Sequence, residues 1–146
     1  MLRRLLRDRD YQRLDKKHVR RVVLLTGTNF VDGVRAGSIS IDAAKSGIEN
    51  ICHVLWSTLT NAKLFVVNLL PRECYQNTHI VDNLNYFING LCKTFGLVYI
   101  NTEERNRLFR DHNGNRKERF FSDKVHLNKR GVSRLAAHLK FMIHHL

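Results

Sequence analysis

Three short apolar runs without polar alternation, Arg21–Thr26, Lys63–Leu70 and Leu97–Ile100, are separated by segments whose apolar residues return at helical spacing, and this alternation narrows the possible folds more than any other feature of the chain. A strand with one wet face alternates apolar and polar residues, whereas a strand covered on both faces does not. The runs therefore predict parallel strands buried between crossover helices, an α/β three-layer sandwich with a flavodoxin-like sheet. Ser40 is placed to cap the first long helix, whose Ile41, Ala44, Ile48, Ile51, Cys52 and Leu55 share a face. Gly47 inside that helix costs about 1 kcal/mol relative to alanine. Upstream of Ser40, Gly33 and Gly37 predict a loop. Pro71 stops the second run, and Ile80, Val81, Leu84, Phe87, Ile88 and Leu91 predict a helix reaching Lys93. The chain closes on a helix with Val132, Leu135, Ala136, Leu139 and Ile143 on one side.

Composition bounds the partners. The 146 residues suffice for one domain with a real core, and a formal charge of +12 from 25 basic and 13 acidic residues points to a polyanionic neighbour or substrate. Nine Lys and Arg against three Asp in residues 1–21 give that stretch a net +6, half of the total. Residues 1–19 read as a basic N-terminal helix or the remnant of an upstream part, and residues 20–146 as the α/β domain. Cys52, Cys74 and Cys92 form no Cys-x-x-Cys pair, and their odd number argues against a stapled secreted scaffold. No apolar run is long enough to span a membrane and no signal-peptide pattern opens the chain, so an intracellular location, cytoplasmic or nuclear, is expected. None of the eight histidines has zinc-ligand spacing with a cysteine, so neither a metal nor another cofactor is expected. Trp56 and Tyr86 read as core or helix-surface packing rather than stacking platforms, and His53 as a helix residue beside apolar neighbours.

Parallel sheets carry their ligands at the carboxyl ends of the strands. Gly27-Thr28-Asn29, Leu70-Pro71-Arg72 and the loop of Asp123 and His126 all follow or flank such ends, so they should gather on one rim. An Asp three residues before a His lets one short loop present both side chains. The carboxylate then accepts the imidazole N–H and sets the tautomer, while the other ring nitrogen serves as a base. Gly27 permits a tight departure from its strand, and the Asn29 amide can donate to a developing oxyanion. Glycine and asparagine are also ordinary turn residues at strand ends.

The stretch Ser122-Asp123-Lys124-Val125-His126-Leu127-Asn128-Lys129-Arg130-Gly131, set just before the last helix, resembles the C-terminal signature of the SGNH (GDSL-like) hydrolases, and Gly27-Thr28-Asn29 resembles their Gly-x-Asn strand end. The likeness covers roughly the last 125 residues. The Val-His-Leu-Asn-x-x-Gly form, Leu69-Leu70-Pro71-Arg72 and the basic composition are most similar to SGNH-like domains of viruses and retroelements of invertebrates. The resemblance implies an SGNH fold and an acyl-ester substrate. It also implies roles: Asp123 orients, His126 acts as general base and then acid, and Gly27 and Asn29 help form the oxyanion side.

Two departures stand out. The family often has Asp after Gly-x-Asn, where this chain has Phe30. The family also places a Gly-Asp-Ser nucleophile and a second oxyanion glycine upstream, and residues 1–20 hold neither a serine nor a glycine. Ser38 and Ser40 lie ahead of a helix and lack a nucleophile-elbow context. The expectation is an SGNH fold lacking its first strand or strands. Three explanations are open: an N-terminally truncated enzyme inactive as it stands, a domain that lost catalysis and kept the fold as a binding platform, or a strand given by another chain. An uncovered sheet edge at residues 21–26 would favour truncation or a partner that covers it.

The second functional class is a non-catalytic SGNH-like module that binds RNA, as in the insect germ-plasm protein Oskar, which the chain resembles in fold and charge. Arg105, Arg107, Arg110, Arg116, Lys117, Arg119, Lys124, Lys129 and Arg130 could neutralise phosphates, with Phe109, Phe120 and Phe121 stacking on bases. The alternative is that many of these charges form a solvated face and that Phe120 and Phe121 pack beneath the loop.

Overall fold

The computed structural model describes residues 18–72, 75–104 and 107–146. The basic stretch 1–17, Cys74 and Arg105 lie outside the described residues. Strands β1 (Arg21–Leu24), β2 (Lys63–Val67) and β3 (Val98–Ile100) form a parallel sheet in the order β1-β2-β3. Helices α1 (Thr28–Arg35) and α2 (Ile41–Thr58) connect the first pair, and α3 (Tyr75–Phe95) connects the second. A 3₁₀ turn (Glu118–Phe120) and α4 (Lys129–His145) complete the chain. The α/β architecture with a parallel sheet flanked by helices is the one the apolar runs predict.

The absence of polar alternation has its reason in β2, the central strand. Leu64 and Val66 face the core shared with α1, α2 and α3, while Phe65 and Val67 face Ile100 and, on α4, Leu139, Met142 and Ile143. Both faces are dry, so both parities must be apolar. Each such side chain contributes about 1.5–3 kcal/mol by burial.

Caps set the helix limits. The Ser40 hydroxyl accepts from the Ala43 N–H at 3.0 Å and opens α2 as expected. Helix α3 closes at Gly96, whose φ of +66° suits glycine, with the Leu97 N–H reaching back to the Cys92 carbonyl at 2.8 Å. Gly47, a poor helix residue, is explained by tertiary contact: a Cβ there would stand 2.6 Å from the Phe30 ring. Phe30 packs against the main core at the position where the resembled family often has Asp.

Several local expectations need correction. Residues 28–35, expected as loop because of Gly33, are helical, since Val31 inserts fully into the core. Strand β2 ends at Val67 rather than at Leu70, because Asn68 turns its side chain to link neighbouring loops. Of the core and helix-surface options for Trp56 and Tyr86, the structure takes the surface, with Tyr86 at 84% exposure, and His53 is exposed on the same helix as Trp56. Trp56 does contact the rings of His53 and Phe95 there.

Candidate active site

Because all three strands run in the same direction, the loops after Leu24, Val67 and Ile100 emerge at one edge, and polar side chains tie them together. Asn68 Oδ1 accepts from the Thr102 N–H at 2.8 Å, joining the loops after β2 and β3. Asn85 on α3 bonds both backbone groups of Leu69, at 2.7 and 3.0 Å. Arg72 donates to the Thr28 carbonyl at 2.6 Å and pairs with Asp32 at 3.3 Å, joining the loop after β2 to the start of α1. The Glu103 carboxylate accepts from the N–H groups of Phe109 and Arg110, the latter at 2.9 Å, and so anchors the segment beyond β3. Sequence reasoning missed Asn68, Asn85 and Glu103. Asn68 carried a signal, a lone polar residue inside an apolar run.

The Asp123–His126 pair forms as expected. Phe121 and Leu127 bridge in antiparallel fashion and the Ser122 N–H donates to the His126 carbonyl at 2.8 Å, which closes a tight loop. Within it, Asp123 Oδ1 accepts from the backbone N–H groups of Val125 and His126, each at 2.7 Å, and Oδ2 lies 2.8 Å from His126 Nδ1. The His126 N–H, then the Val125 N–H, then the imidazole bond hold the Asp123 carboxyl down to about 2, so it is ionised at neutral pH and accepts the Nδ1 proton. Nε2 is thereby left as the basic nitrogen. Both side chains are more than half exposed.

The motif after the histidine acts as a fastener. Asn128 caps α4 by accepting from the Gly131 N–H at 3.0 Å, and its Nδ2 donates to the carbonyls of Arg119 and Phe121. Gly131 lets the backbone approach closely, since a Cβ there would lie 2.2 Å from the Phe120 carbonyl oxygen. Beneath the loop, Leu108, Phe109, Phe120, Phe121 and Leu135 form a separate cluster, with Leu127 packed against it. From the side, Arg116 Nη1 donates to the carbonyls of Asp123 and Lys124, at 3.2 and 2.8 Å, while its other nitrogens hold Glu118.

Gly27 and Asn29 stand at the end of β1. Gly27 has φ +103°, and a Cβ there would meet the Leu69 side chain at 2.9 Å. Asn29 is exposed on the first turn of α1 and lines, with Gly27 and Phe30, a hollow of about 220 Å³. Asp123 and His126 do not line that hollow. Three of the described serines bond elsewhere: Ser38 bonds the Gly33 carbonyl, Ser40 caps α2, and Ser122 bonds the His126 carbonyl rather than its ring. Burial pushes the Cys52 thiol up to about 11 and the Cys92 thiol up to about 12, so neither is a ready thiolate.

The aromatic interleaving expected for base stacking is not on the surface. Phe109, Phe120 and Phe121 are buried edge to face, which matches the packing alternative. Arg116 lies 4.2 Å from the Phe121 ring centre, and Arg119 and Arg134 lie 4.9 and 5.0 Å from that of Phe120. Lys117 donates to the Arg107 carbonyl at 2.6 Å. Arg107, Lys124, Lys129 and Arg130 are exposed. Among the described residues, no group of three or more His, Cys, Asp and Glu side chains is placed to hold a metal ion, and no helix is long and apolar enough to cross a membrane.

Solved structures share the fold. A GDSL-like lipase from Bacteroides thetaiotaomicron superimposes with a TM-score of 0.65 at 21% identity, covering 84% of this chain and 61% of that one. A Streptococcus pneumonia protein named for platelet activating factor gives 0.68 at 21% identity, covering 85% and 59%. An acetyl xylan esterase, AlAXEase, gives 0.73 at 16% identity, covering 94% and 74%. The chain thus spans about three fifths of the length of the first two. No family model and no curated protein matches the sequence. The fold is that of GDSL-like lipases and esterases.

Proposed function

We propose that residues 20–146 carry the acid–base half of an SGNH-like ester hydrolase site. Asp123 orients the ring, His126 Nε2 takes a proton from the attacking hydroxyl and returns it to the leaving oxygen, and Gly27 and Asn29 form the oxyanion side. The observation that carries this reading is the 2.8 Å contact from Asp123 Oδ2 to His126 Nδ1 on a fold shared with GDSL-like lipases and esterases. Among the described residues no serine hydroxyl bonds the imidazole. The hydroxyl is therefore water, or a serine brought by a further polypeptide segment or a second chain, and only a serine opens an acyl-enzyme route. The sequence likeness to viral and retroelement domains supports the same reading of the Asp-x-x-His loop. An RNA-binding module has the charge of +12 in its favour, but its stacking rings are buried.

The test is hydrolysis of p-nitrophenyl acetate by the unchanged protein and by His126→Ala. A general base contributes about 10²–10⁴-fold, so the variant should lose at least about 10²-fold of the rate above buffer. Equal rates above buffer in the two proteins would overturn the reading, and no rate above buffer in either would remove water as the attacking group.

A further inference from the structure

A cleft of about 540 Å³ lies between the loop after β2 and residues 110–118, and three arginines are among the residues that line it: Arg72, Arg110 and Arg116. Asn113, Asn115 and Thr78 contribute further polar lining. The three arginines differ in what they have left to donate. Arg116 is engaged with Glu118 and with the carbonyls of Asp123 and Lys124. Arg72 is held by its Nη2, on Thr28 and Asp32, with its side chain only 5% exposed. Among the described residues, Arg110 bonds through Nη2, on Asp82 at 3.1 Å, and its buried Nε has no partner. Buried N–H groups almost always have an acceptor, and one left without it is suited to an acceptor that arrives with a ligand.

The counter-charges sit differently from the cations. The Arg72 and Arg110 side chains are 5% and 20% exposed, whereas their partners Asp32 and Asp82 are 46% and 56% exposed. Glu118, which also lines the cleft, is held by Arg116. An anion entering the cleft would meet N–H donors fixed by the protein, while water screens much of the acidic charge. Two of these arginines also hold the candidate site: Arg72 fixes the Thr28 carbonyl beside Asn29, and Arg116 fixes the loop of Asp123 and His126.

We propose that this cleft is a subsite for an oxyanion group, carboxylate or phosphate, carried by the ester on which the Asp123–His126 pair acts. The ester assignment rests on the hydrolase reading; anion binding by the arginines does not. Specificity for esters with a negatively charged arm follows, because charge-assisted bonds to guanidinium N–H groups discriminate against a neutral arm.

The experiment follows the Arg110 Nε–H resonance by NMR while inorganic phosphate, monomethyl succinate or neutral methyl acetate is titrated into the protein and into Arg110→Gln. Phosphate or monomethyl succinate should give a saturable shift in the unchanged protein, and whichever binds first identifies the preferred anion. Because the variant lacks that resonance, its binding is followed at the Asn115 side-chain amide, where the affinity should fall about 10-fold or more. Methyl acetate should give no shift. No saturable shift with either anion, or equal affinity in Arg110→Gln, would overturn the proposal. So would binding of a single-stranded oligonucleotide at this resonance without binding of the small anions, which would make the cleft a nucleic-acid backbone site. If anions bind and ester hydrolysis is independent of His126, the anion site stands and its ester assignment falls. If hydrolysis depends on His126 and no anion binds, the cleft proposal fails and the hydrolase reading survives.

Discussion

The loop around Asp123 and the start of α1 around Asn29 are held by opposite means. Asp123 bonds residues two and three positions away, and Asn128 fastens the loop to the next helix through a residue three positions on. Gly27 and Thr28 depend on distant partners: Arg72 grips the Thr28 carbonyl from 44 residues away, and the Leu69 side chain fills the space a Cβ on Gly27 would need. A locally bonded loop keeps its shape wherever its ends are held. A remotely bonded segment is only as well placed as the rest of the fold, so the Asp123–His126 contact can be preformed while residues 27–29 wait on tertiary packing.

The largest effect should come from breaking the local fastener. Gly131→Ala drives a methyl into the Phe120 carbonyl, and overpacking of this kind costs about 1–3 kcal/mol. Urea unfolding should register that loss, and the NMR signal of the His126 Nδ1 proton should weaken while the amides of residues 27–29 keep their shifts. A Gly131→Ala protein of unchanged stability would show that the close approach is not needed. Arg72→Ala tests the other side. Losing a buried charged donor costs about 1.5–3 kcal/mol, discounted here because Asp32 is half exposed. The amides of residues 27–29 should shift and those of Val125 and His126 should not; equal shifts in both places would erase the contrast between the two regions. The smallest effect sharpens the comparison by pH. Because the folded Asp123 carboxyl is held below the ordinary carboxylate range, its bonds are fully present above that range and are lost as pH falls toward about 2. A carboxyl carbon titration should show a midpoint near 2, and one in the ordinary carboxylate range would mean that the Val125 and His126 N–H bonds are not formed in solution.

The Asp123–His126 contact was legible in the sequence because both partners lie within one short loop, whose closure Asp123 itself helps to make. The same holds for Ser40 as a cap and for the apolar runs that became β1, β2 and β3, since burial on both faces leaves its mark directly in the residue pattern. Gly33 misled, because glycine lowers helix propensity by less than the burial of Val31 on α1 returns. Phe120 and Phe121 could be read as stacking surfaces or as core from their spacing alone, and the partners that decide for core, Leu108, Phe109 and Leu135, come from separate parts of the chain.

Period and short-range bonds were therefore readable from the residue order: a parallel α/β sheet and an acid held against an imidazole. Only the tertiary structure decided the rest, namely that Arg72 reaches Thr28, that Asn68 and Asn85 lace the loops, and that Arg72, Arg110 and Arg116 meet around one cleft. The reason is physical. A bond across two or three residues depends on local backbone angles, whereas a bond across 44 residues exists only once strands in register have brought its ends to the same edge.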